Sequence, residues 1–483
     1  MLVSPAAASG RLGPHLEKAL AATGAAGPFL VWVRLADRPT RQPTPNLVTP
    51  RSLQRRAKVL PASRLLGPAD LPLDEPSVSL VAERVERLRH RSKWFNAVSA
   101  LATRSQIEAL QSLSCVRSIE LVGRWGRRAS APQPVQSSPV PKAPPPGTTA
   151  LDYGPSVGQL QQINVPAVHD RGLHGEGVLI GHFDDGYRLL SHQALTNLNI
   201  VATRDFVDPG IDPAPPVSSP SFFGAHGIAT LSALAGYAPG QLVGPAYGAD
   251  FLLARTEDDG SETPLEEDNW VAAIEWADSL GVDIVSSSVG YDSYNPPYQS
   301  WTWEDMDGNT TVITQAADMA VERGIVVFNA AGNSGLNPAH NTLVAPADGD
   351  SVITVGGVES NGNRYTSSSV GPTASTPPRV KPDVMAQGAL VYAASSDGPA
   401  VYGPATGTSL ACPLAAGVGA LLLQAQPNAT PMQIREALRM TASRATTPDN
   451  LYGWGIIDAE AALDYLTTAV RATSWTTLKG RYR

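Results

Sequence analysis

The sequence of 483 residues predicts an α/β protein with a doubly wound, largely parallel sheet and helices on both of its faces, preceded by a small α+β domain. Two observations predict this class. From residue 151 to 470, short apolar strands alternate with helical segments, which is the pattern of a parallel sheet covered on both faces. Residues 28–123 hold a separate group of strand and helix patterns, and residues 124–150 form a proline-rich linker between the two.

The first group predicts a compact unit of alternating strands and helices. Its strands are predicted by apolar and β-branched runs at "FLVWVRL" (29–35), "FNAVSALAT" (95–103) and "VRSIELV" (116–122). Residues 79–91 predict an amphipathic helix, with an apolar side formed by Leu80, Val81, Val85 and Leu88. A second helix is predicted to open at Ser105, with Glu108 in capping-box spacing. This order of elements predicts a small α+β sandwich.

The linker contains "ASAPQPVQSSPVPKAPPPGTTA" at 129–150. Prolines and small polar residues cannot build an apolar core, so we expect an exposed and extended segment. Such a segment is where a protease cuts most readily.

The second group predicts the parallel sheet. Helices are predicted at 270–280 and 314–324, between short buried strands. These strands are "VLIGHF" (178–183), "FLLAR" (251–255), "DIVSSSV" (283–289), "IVVFNAA" (325–331) and "VITVGGV" (352–358). Sites in such sheets gather where the strands end, so polar residues at those ends are the candidates for chemistry.

Composition excludes several classes of protein. Cys115 and Cys412 are the only cysteines, too few and too far apart for a disulfide framework or a zinc site, and Cys412 is expected to be a small buried hydrophobe. The longest apolar stretch, residues 410–423, has the length of a core helix, so no membrane partner is predicted. No signal peptide is visible at the N-terminus.

Charge divides unevenly along the chain. Residues 1–150 carry 21 Lys and Arg against 9 Asp and Glu, whereas residues 151–483 carry 15 against 35. A basic segment can bind nucleic acid, but no nucleic-acid-binding motif accompanies this charge. The preferred interpretation is that the basic segment docks onto the acidic part of the same chain.

Four separate positions supply the groups that acyl transfer requires. Asp184 and Asp185 follow an apolar strand, His226 precedes a helix of small residues, Asn333 follows another strand, and Ser409 opens the buried helix. A serine hydroxyl needs a base such as imidazole, and the imidazole needs a carboxylate to orient it. An Asn amide and the free N–H groups of a helix N-terminus can hold an oxyanion.

With these residues in order, the sequence resembles the subtilisin-like serine proteases. "DDG" (184–186), "HGIATLS" (226–232), "AAGNSG" (330–335) and "GTSLACP" (407–413) resemble the four active-site motifs of that family. The resemblance implies a serine endopeptidase that acts on proteins or peptides, with Asp184, His226 and Ser409 as its triad and Asn333 as oxyanion donor. Asp184 is preferred over Asp185 from its spacing to Gly186, and Asp185 is expected to point away.

Three further departures from the family motifs lie close to the site. Ile228, Thr230 and Leu410 replace the family's Thr, Val and Met. We interpret them as packing differences, because no catalytic group is lost. An inactive subtilase fold that acts as a binding module is the alternative to an active enzyme.

The resemblance also extends to the first domain. Residues 28–123 are similar to a subtilase propeptide, a ferredoxin-like domain that assists folding and then inhibits the enzyme. A zymogen cut within about 123–150 is therefore expected. The family is mostly secreted, which implies an extracellular location.

By the same resemblance, two segments line the substrate pocket. One wall is expected to be Ser288, Val289 and Gly290, and the other Ala330, Ala331 and Gly332. Val344 falls where the family often has Gly, which predicts a shallower pocket and small or medium apolar P1 residues. No cofactor and no catalytic metal are required. The resemblance is compatible with structural calcium, but it assigns no site for the ion. We interpret "DMDGN" (305–309) as a solvated turn rather than a calcium loop.

Overall fold

The computed structural model describes residues 11–21, 28–40, 42–122, 124–125, 151–208, 213, 224–295 and 298–468. Most of the predicted linker lies outside the described residues, as do the last residues of the predicted second domain. The described residues of the linker, Arg124–Trp125, form a short strand that pairs with Tyr298–Gln299 of the second domain.

The N-terminal domain is a four-stranded antiparallel sheet with helices on one face. Its strand order is β2-β3-β1-β4, with β1 paired to both β3 and β4. The elements run α1 (Pro14–Ala21), β1 (Phe29–Leu35), α2 (Pro50–Arg56), α3 (Glu75–Ala82), β2 (Arg87–Ser92), β3 (Ala97–Ala102), α4 (Arg104–Gln111), β4 (Val116–Leu121) and β5 (Arg124–Trp125).

Both faces of this small sheet are buried. Phe29, Val31 and Val33 of β1 point into a core shared with α1, α3 and α4. The residues between them, Leu30 and Trp32, point instead into a core shared with the second domain. Because side chains alternate along a strand, one strand thus serves two cores, and this explains why "FLVWVRL" is apolar at every position except Arg34.

The predicted helix over 79–91 is wrong beyond its first turn. Helix α3 ends at Ala82, and β2 follows as a strand that pairs with β3. Leu80 is 39% exposed, whereas Val81 is fully buried. Pairing with a neighbouring strand decides this segment, because tertiary contacts override a helical periodicity.

The predicted cap of the next helix is also shifted. Helix α4 begins at Arg104, and Thr103 is its N-cap. Thr103 accepts a hydrogen bond from the Gln106 backbone N–H, and the Gln106 side chain accepts one from the Thr103 N–H at 2.8 Å. The capping box is therefore present, but two residues before Ser105 and Glu108.

The second domain contains the predicted parallel sheet. Seven strands, all parallel, lie in the order β15-β14-β13-β11-β6-β10-β7. The elements run α5 (Val157–Gln161), α6 (Val165–His169), β6 (Leu179–Asp184), β7 (Asn199–Asp205), α7 (Ala225–Ala235), β8 (Tyr237–Ala238), β9 (Leu242–Val243), β10 (Asp250–Arg255), α8 (Leu265–Leu280), β11 (Ile284–Ser287), β12 (Tyr298–Gln299), α9 (Val312–Glu322), β13 (Val326–Ala330), β14 (Ile353–Val358), β15 (Val384–Gln387), β16 (Val391–Ala394), β17 (Tyr402–Ala405), α10 (Thr408–Ala425) and α11 (Pro431–Met440), and residues 459–468 are helical.

Helices cover both faces of this sheet, as the sequence predicts. Phe251 and Leu253 of β10 pack with α7 and α10 on one face. Leu252 and Ala254 of the same strand pack with α8 and α9 on the other. All five predicted strands are confirmed within one or two residues at their ends.

Helix α10 is the core helix of the domain. It is long and apolar enough to cross a membrane, but 89% of that segment is buried inside the protein. Cys412 is fully buried within it, and both cysteines are free thiols. Two glycines allow close packing, because a Cβ would lie 2.3 Å from Pro245 at Gly417 and 2.8 Å from Phe328 at Gly419. The predicted core role of this stretch is confirmed.

The N-terminal domain docks on α8 through buried ion pairs. Asp278 on α8 is fully buried and accepts hydrogen bonds from Arg55 and Arg56 of α2, the second at 2.6 Å. Arg56 also pairs with Asp70, and Arg55 donates to the carbonyl of Val282 at 2.7 Å. Burial alone would raise the pKa of Asp278, but the two guanidinium groups have the larger effect and lower it. Basic residues of the first domain thus meet acidic residues of the second, as the charge distribution predicts.

We expect Asp278→Ala to destabilise the full chain by about 3–5 kcal/mol, because it leaves two buried arginines without their shared carboxylate. Denaturant unfolding would measure this change in the free energy of unfolding. Arg91→Ala is the control, since it removes the exposed Arg91–Glu75 pair and should cost less than about 1 kcal/mol. Equal costs for the two variants would contradict an anchoring role for Asp278.

Candidate active site

The site lies where the central strands of the parallel sheet end. Strand β6 lies between β10 and β11, and Asp184 is its last residue. The Asp184 side chain is fully buried, and Gly186 then turns the chain with a φ of 123° that favours glycine. A buried carboxylate therefore stands at the carboxyl edge of the sheet, the edge where sites of this fold form.

Helix α7 brings His226 to that carboxylate. The helix follows Gly224, which has a φ of 69°, and His226 is the second residue of its first turn. His226 Nδ1 lies 2.6 Å from Asp184 Oδ1, which is the spacing of a strong hydrogen bond to a charged acceptor. The side chain of His226 is 41% exposed, so part of the ring faces solvent. The structure brings these two predicted residues together as a pair.

Asp185 does not point away from the site, and that expectation is wrong. Its Oδ2 accepts from the backbone N–H of His226 at 3.1 Å, and its Oδ1 from that of Gly227 at 2.7 Å. These two N–H groups belong to the first turn of α7, which has no intrahelical acceptor for them. Asp185 thus caps the helix that carries His226, and the two adjacent carboxylates have different partners.

Gly227 is required by this close approach. A Cβ at this position would lie 2.1 Å from the carbonyl oxygen of Gly186 and 3.0 Å from Asp185 Oδ1. No side chain fits there without moving the helix away from Asp184. The close approach of α7 to Gly186 therefore explains why a glycine follows His226 in the motif.

The charges at this edge shift the pKa values of three side chains. Burial alone would raise the pKa of Asp184, but His226 and its hydrogen bond lower it below its usual range. Burial and the charge of Asp184 raise the pKa of Asp185 well above its usual range. Burial opposes protonation of His226, yet Asp184 outweighs burial and raises the pKa of His226 above 6.5. The ionised Asp184 is thus arranged to stabilise a histidine cation.

Ligand atoms of Asp184, Asp185 and His226 lie within 4.8 Å of one another, which is close enough for a metal ion. Both oxygens of Asp185, however, already accept backbone N–H groups, and Asp184 Oδ1 already accepts from His226. This set is satisfied by its own donors. The arrangement therefore fits a carboxylate–imidazole pair better than a metal centre.

Ser409 is the second residue of α10 and lies beside Asn333. A Cβ at Gly407 would lie 2.8 Å from Ser409 Oγ and 3.5 Å from Asn333 Nδ2, so the hydroxyl and the amide border the same point. Asn333 Oδ1 accepts from the backbone N–H of Thr408 at 2.9 Å. That bond holds Asn333 Oδ1 against the first residue of α10, and Nδ2 is the nearer of the two amide atoms to the point beside Ser409 Oγ. The structure brings these two predicted residues together as a second pair.

The predicted pocket walls stand on either side of Val344. A Cβ at Gly290 would lie 2.2 Å from Val344 Cγ2, and a Cβ at Gly332 would lie 2.8 Å from Val344 Cγ1. The valine side chain thus fills the space between the two segments. Asn329, on β13, donates from Nδ2 to the carbonyl of Val289 at 3.1 Å, and this hydrogen bond links the two segments.

The other predicted pocket residues are placed by their strands. Ser288 follows β11, and its hydroxyl donates to the carbonyl of Ser409 at 2.8 Å. Ala330 ends β13, and Ala331 continues it with its N–H bonded to the carbonyl of Val355. Both alanines are buried. The pocket segments are therefore fixed to the sheet and to α10.

The "DMDGN" loop is closed by the protein's own donors. Asp307 accepts from the backbone N–H groups of Asn309 and Thr310 at 2.7 and 2.8 Å. Arg379 donates to the carbonyl of Asp307, and its guanidinium would lie 2.2 Å from a Cβ at Gly308. An arginine cation thus lies against this loop.

Two residues near the site were not predicted to matter. Thr230, interpreted from the sequence as a packing difference, donates its hydroxyl to Asp184 Oδ2 at 2.8 Å. His182, on β6, is fully buried with its Nε2 3.9 Å from the same oxygen. The spacing of Thr230 four residues after His226 was the available signal, because such residues share one face of a helix.

The comparisons with known proteins agree with this geometry. The family model described as "Subtilase family" matches residues 175–455, which include every motif at the edge of the sheet. The chain belongs to the subtilase family. A second family model, described as "Peptidase S8 propeptide domain, Bacteroidota", matches residues 30–136. The N-terminal domain of this subtilase is therefore a propeptide domain.

The chain is similar in sequence to several subtilisins and in fold to a solved structure. It is 33% identical over 306 residues to Subtilisin DY of Bacillus licheniformis, covering 62% of this chain and 96% of that protein. It is 32% identical to Subtilisin NAT of Bacillus subtilis subsp. natto, covering 65% and 73%. The crystal structure of fervidolysin from Fervidobacterium pennivorans has a TM-score of 0.61 at 21% identity, and the match covers 92% of this chain and 62% of fervidolysin. That likeness extends the shared fold across both domains.

Proposed function

We propose that this subtilase is a serine endopeptidase made as a zymogen, which hydrolyses peptide bonds through an acyl-enzyme on Ser409. One observation carries the proposal. The hydrogen-bonded pair of Asp184 and His226 and the pair of Ser409 and Asn333 stand at the same edge of one sheet, in a chain of this family. The proposed triad joins the two pairs through His226 Nε2 and Ser409 Oγ.

Acylation uses each group in turn. Ser409 Oγ attacks the carbonyl carbon of the scissile bond while His226 Nε2 takes the hydroxyl proton. Asp184 stabilises the imidazolium that forms, which is consistent with the raised pKa of His226. Asn333 Nδ2 and a backbone N–H at the start of α10 stabilise the oxyanion. The C–N bond then breaks, and His226 gives its proton to the leaving amine.

Deacylation repeats these steps with water. His226 takes a proton from water, whose oxygen attacks the ester carbon, and the same donors hold the second oxyanion. The bond to Ser409 Oγ breaks, and the proton returns to the serine. Each step balances with the protein's own groups, so no cofactor is required, and structural calcium elsewhere in the chain stays compatible with this mechanism.

The propeptide domain supports a zymogen with an intramolecular inhibitor. It docks on α8 through the buried pairs of Asp278, which gives it a fixed place on the catalytic domain. We propose cleavage within about residues 123–150, which join the two domains. The extracellular location stays a prediction, as do the partners other than substrates. The domain boundaries also stay predictions, at 28–123, 124–150 and 151–470.

The pocket supports a substrate preference. Val344 fills the space between the segments that end at Gly290 and Gly332, so the room for a P1 side chain is reduced. We propose that small or medium apolar residues occupy P1.

Ser409→Ala tests the function directly. The wild-type chain should cleave casein, should be labelled by a fluorophosphonate probe and should mature by a cut within residues 123–150, because all three require the nucleophile. Ser409→Ala should lose all three. Ser395→Ala is the control, since its hydroxyl lies in an exposed turn and pairs with Asp397. A folded wild-type protein without cleavage or labelling would favour an inactive binding module instead.

The pH dependence should follow His226. Only the neutral imidazole can accept the serine proton, so kcat/KM should rise with pH through the His226 pKa, with a midpoint above 6.5. Asp259 also raises the pKa of His226, and Asp259→Asn should move the midpoint to lower pH while the triad stays intact. Added salt should reduce that shift, because it screens charges between exposed groups. A wild-type midpoint at or below 6.5 would contradict the electrostatic role of Asp184.

Val344→Gly tests the pocket. Removal of the side chain should deepen the space between the two walls and raise kcat/KM for large aromatic P1 residues by about tenfold or more relative to alanine. A peptide library varied at P1 would measure this ratio in both proteins. Preference of the wild type for large aromatic residues would overturn the proposed specificity.

A further inference from the structure

We infer that Thr230 is a positioning residue that holds the second oxygen of Asp184 and thereby aligns the carboxylate with His226. The inference rests on the proposed function, because it assigns a role within that triad. Thr230 lies on α7, one helical turn after His226, and is fully buried.

The two oxygens of Asp184 have separate partners. Oδ1 accepts from His226 Nδ1 at 2.6 Å and from the backbone N–H of Asp185 at 2.9 Å. Oδ2 accepts from Thr230 Oγ1 at 2.8 Å, the one donor to this oxygen among the residues that the structure describes. Since a carboxylate is planar, fixing both oxygens fixes the direction in which Oδ1 faces the imidazole.

His182 is the other polar group near Oδ2, and it does not replace Thr230. Its Nε2 lies 3.9 Å from Oδ2, which is beyond hydrogen-bond distance. The hydroxyl of Tyr187 donates to the His182 carbonyl at 2.5 Å, so His182 Nδ1, at 3.0 Å, donates to that hydroxyl. In the neutral ring the proton is then on Nδ1, and Nε2 has none to offer Oδ2. Burial lowers the pKa of His182 to about 4, which keeps the ring neutral.

A threonine within a helix commonly donates to the carbonyl four residues earlier, and this is the alternative bond. Thr230 Oγ1 lies 3.0 Å from the carbonyl of His226 and 3.3 Å from that of Gly227. The hydroxyl has a single proton, and the ionised carboxylate is both the nearer and the stronger acceptor. The proton is therefore directed to Asp184 Oδ2.

Loss of this bond should affect the transition state more than substrate binding. Without the hydroxyl, Asp184 Oδ2 is a buried charged acceptor without a donor. We therefore expect the carboxylate to rotate. Rotation takes Oδ1 out of line with His226 Nδ1 at the moment when the imidazolium forms. The hydrogen bonds of Thr230 go to Asp184, His226 and Gly227, and none of these is a proposed pocket residue.

The test compares Thr230→Val with Thr230→Ser in enzyme that has matured from the full-length chain. Valine keeps the shape and removes the hydroxyl, whereas serine keeps the hydroxyl and removes only a methyl group. We expect kcat of Thr230→Val to fall about tenfold or more with KM within about twofold. Thr230→Ser should keep kcat within about threefold of the wild type. All rates are expressed per site labelled by a fluorophosphonate, so unfolded protein does not contribute.

Each outcome separates a positioning role from a packing role. Wild-type kcat in Thr230→Val, or equal losses in both variants, would overturn the inference, as would a loss confined to KM. If Thr230→Val yields no folded protein, the rate of fluorophosphonate labelling in Thr230→Ser and Thr230→Ala decides, with only the alanine variant expected to be slow. Activity that survives in Ser409→Ala would instead refute the proposed function itself.

Discussion

The close packing of α10 against the parallel sheet is the constraint on which the rest of the site depends. Gly417 and Gly419 let the helix approach Pro245 and Phe328 more closely than any side chain would allow. The first turn of α10 thereby reaches the end of β13. There the Thr408 hydroxyl bonds to Gly332 and its N–H bonds to Asn333. A buried apolar helix thus carries a polar first turn to the one edge of the sheet where other polar residues gather.

The strands that support this site could be predicted because burial on both faces leaves a simple apolar pattern. Strand β6 is buried at every position, and Asp184 is its last residue. Strand β2 could not be predicted in this way. Its His90 and Arg89 contact Asn269 of α8, so polar residues fill an interface that the sequence alone does not reveal. The edge strand β7 alternates exposed and partly buried residues and was missed for a related reason.

Within the site, the identity of the candidate residues could be predicted but their contacts could not. Motif resemblance indicated Asp184 over Asp185, yet it gave no reason for the second carboxylate to face α7. The reason is the unsatisfied N–H groups at the start of that helix, which appear only once the helix is placed. Thr230 differs from the family pattern in the same manner. A change from valine to threonine looks like packing until the hydroxyl is seen against Asp184.

Arg379 supplies a fixed positive charge beside the loop at Gly308. Its guanidinium lies against the loop at Gly308 and also contacts Asp350 and the carbonyl of Asp348. A dissolved divalent ion in that place would leave at low concentration or under chelation, and the loop's carbonyls and carboxylates would then repel one another. A cation attached to the polypeptide cannot be diluted away. The positive charge beside this loop is therefore part of the polypeptide itself.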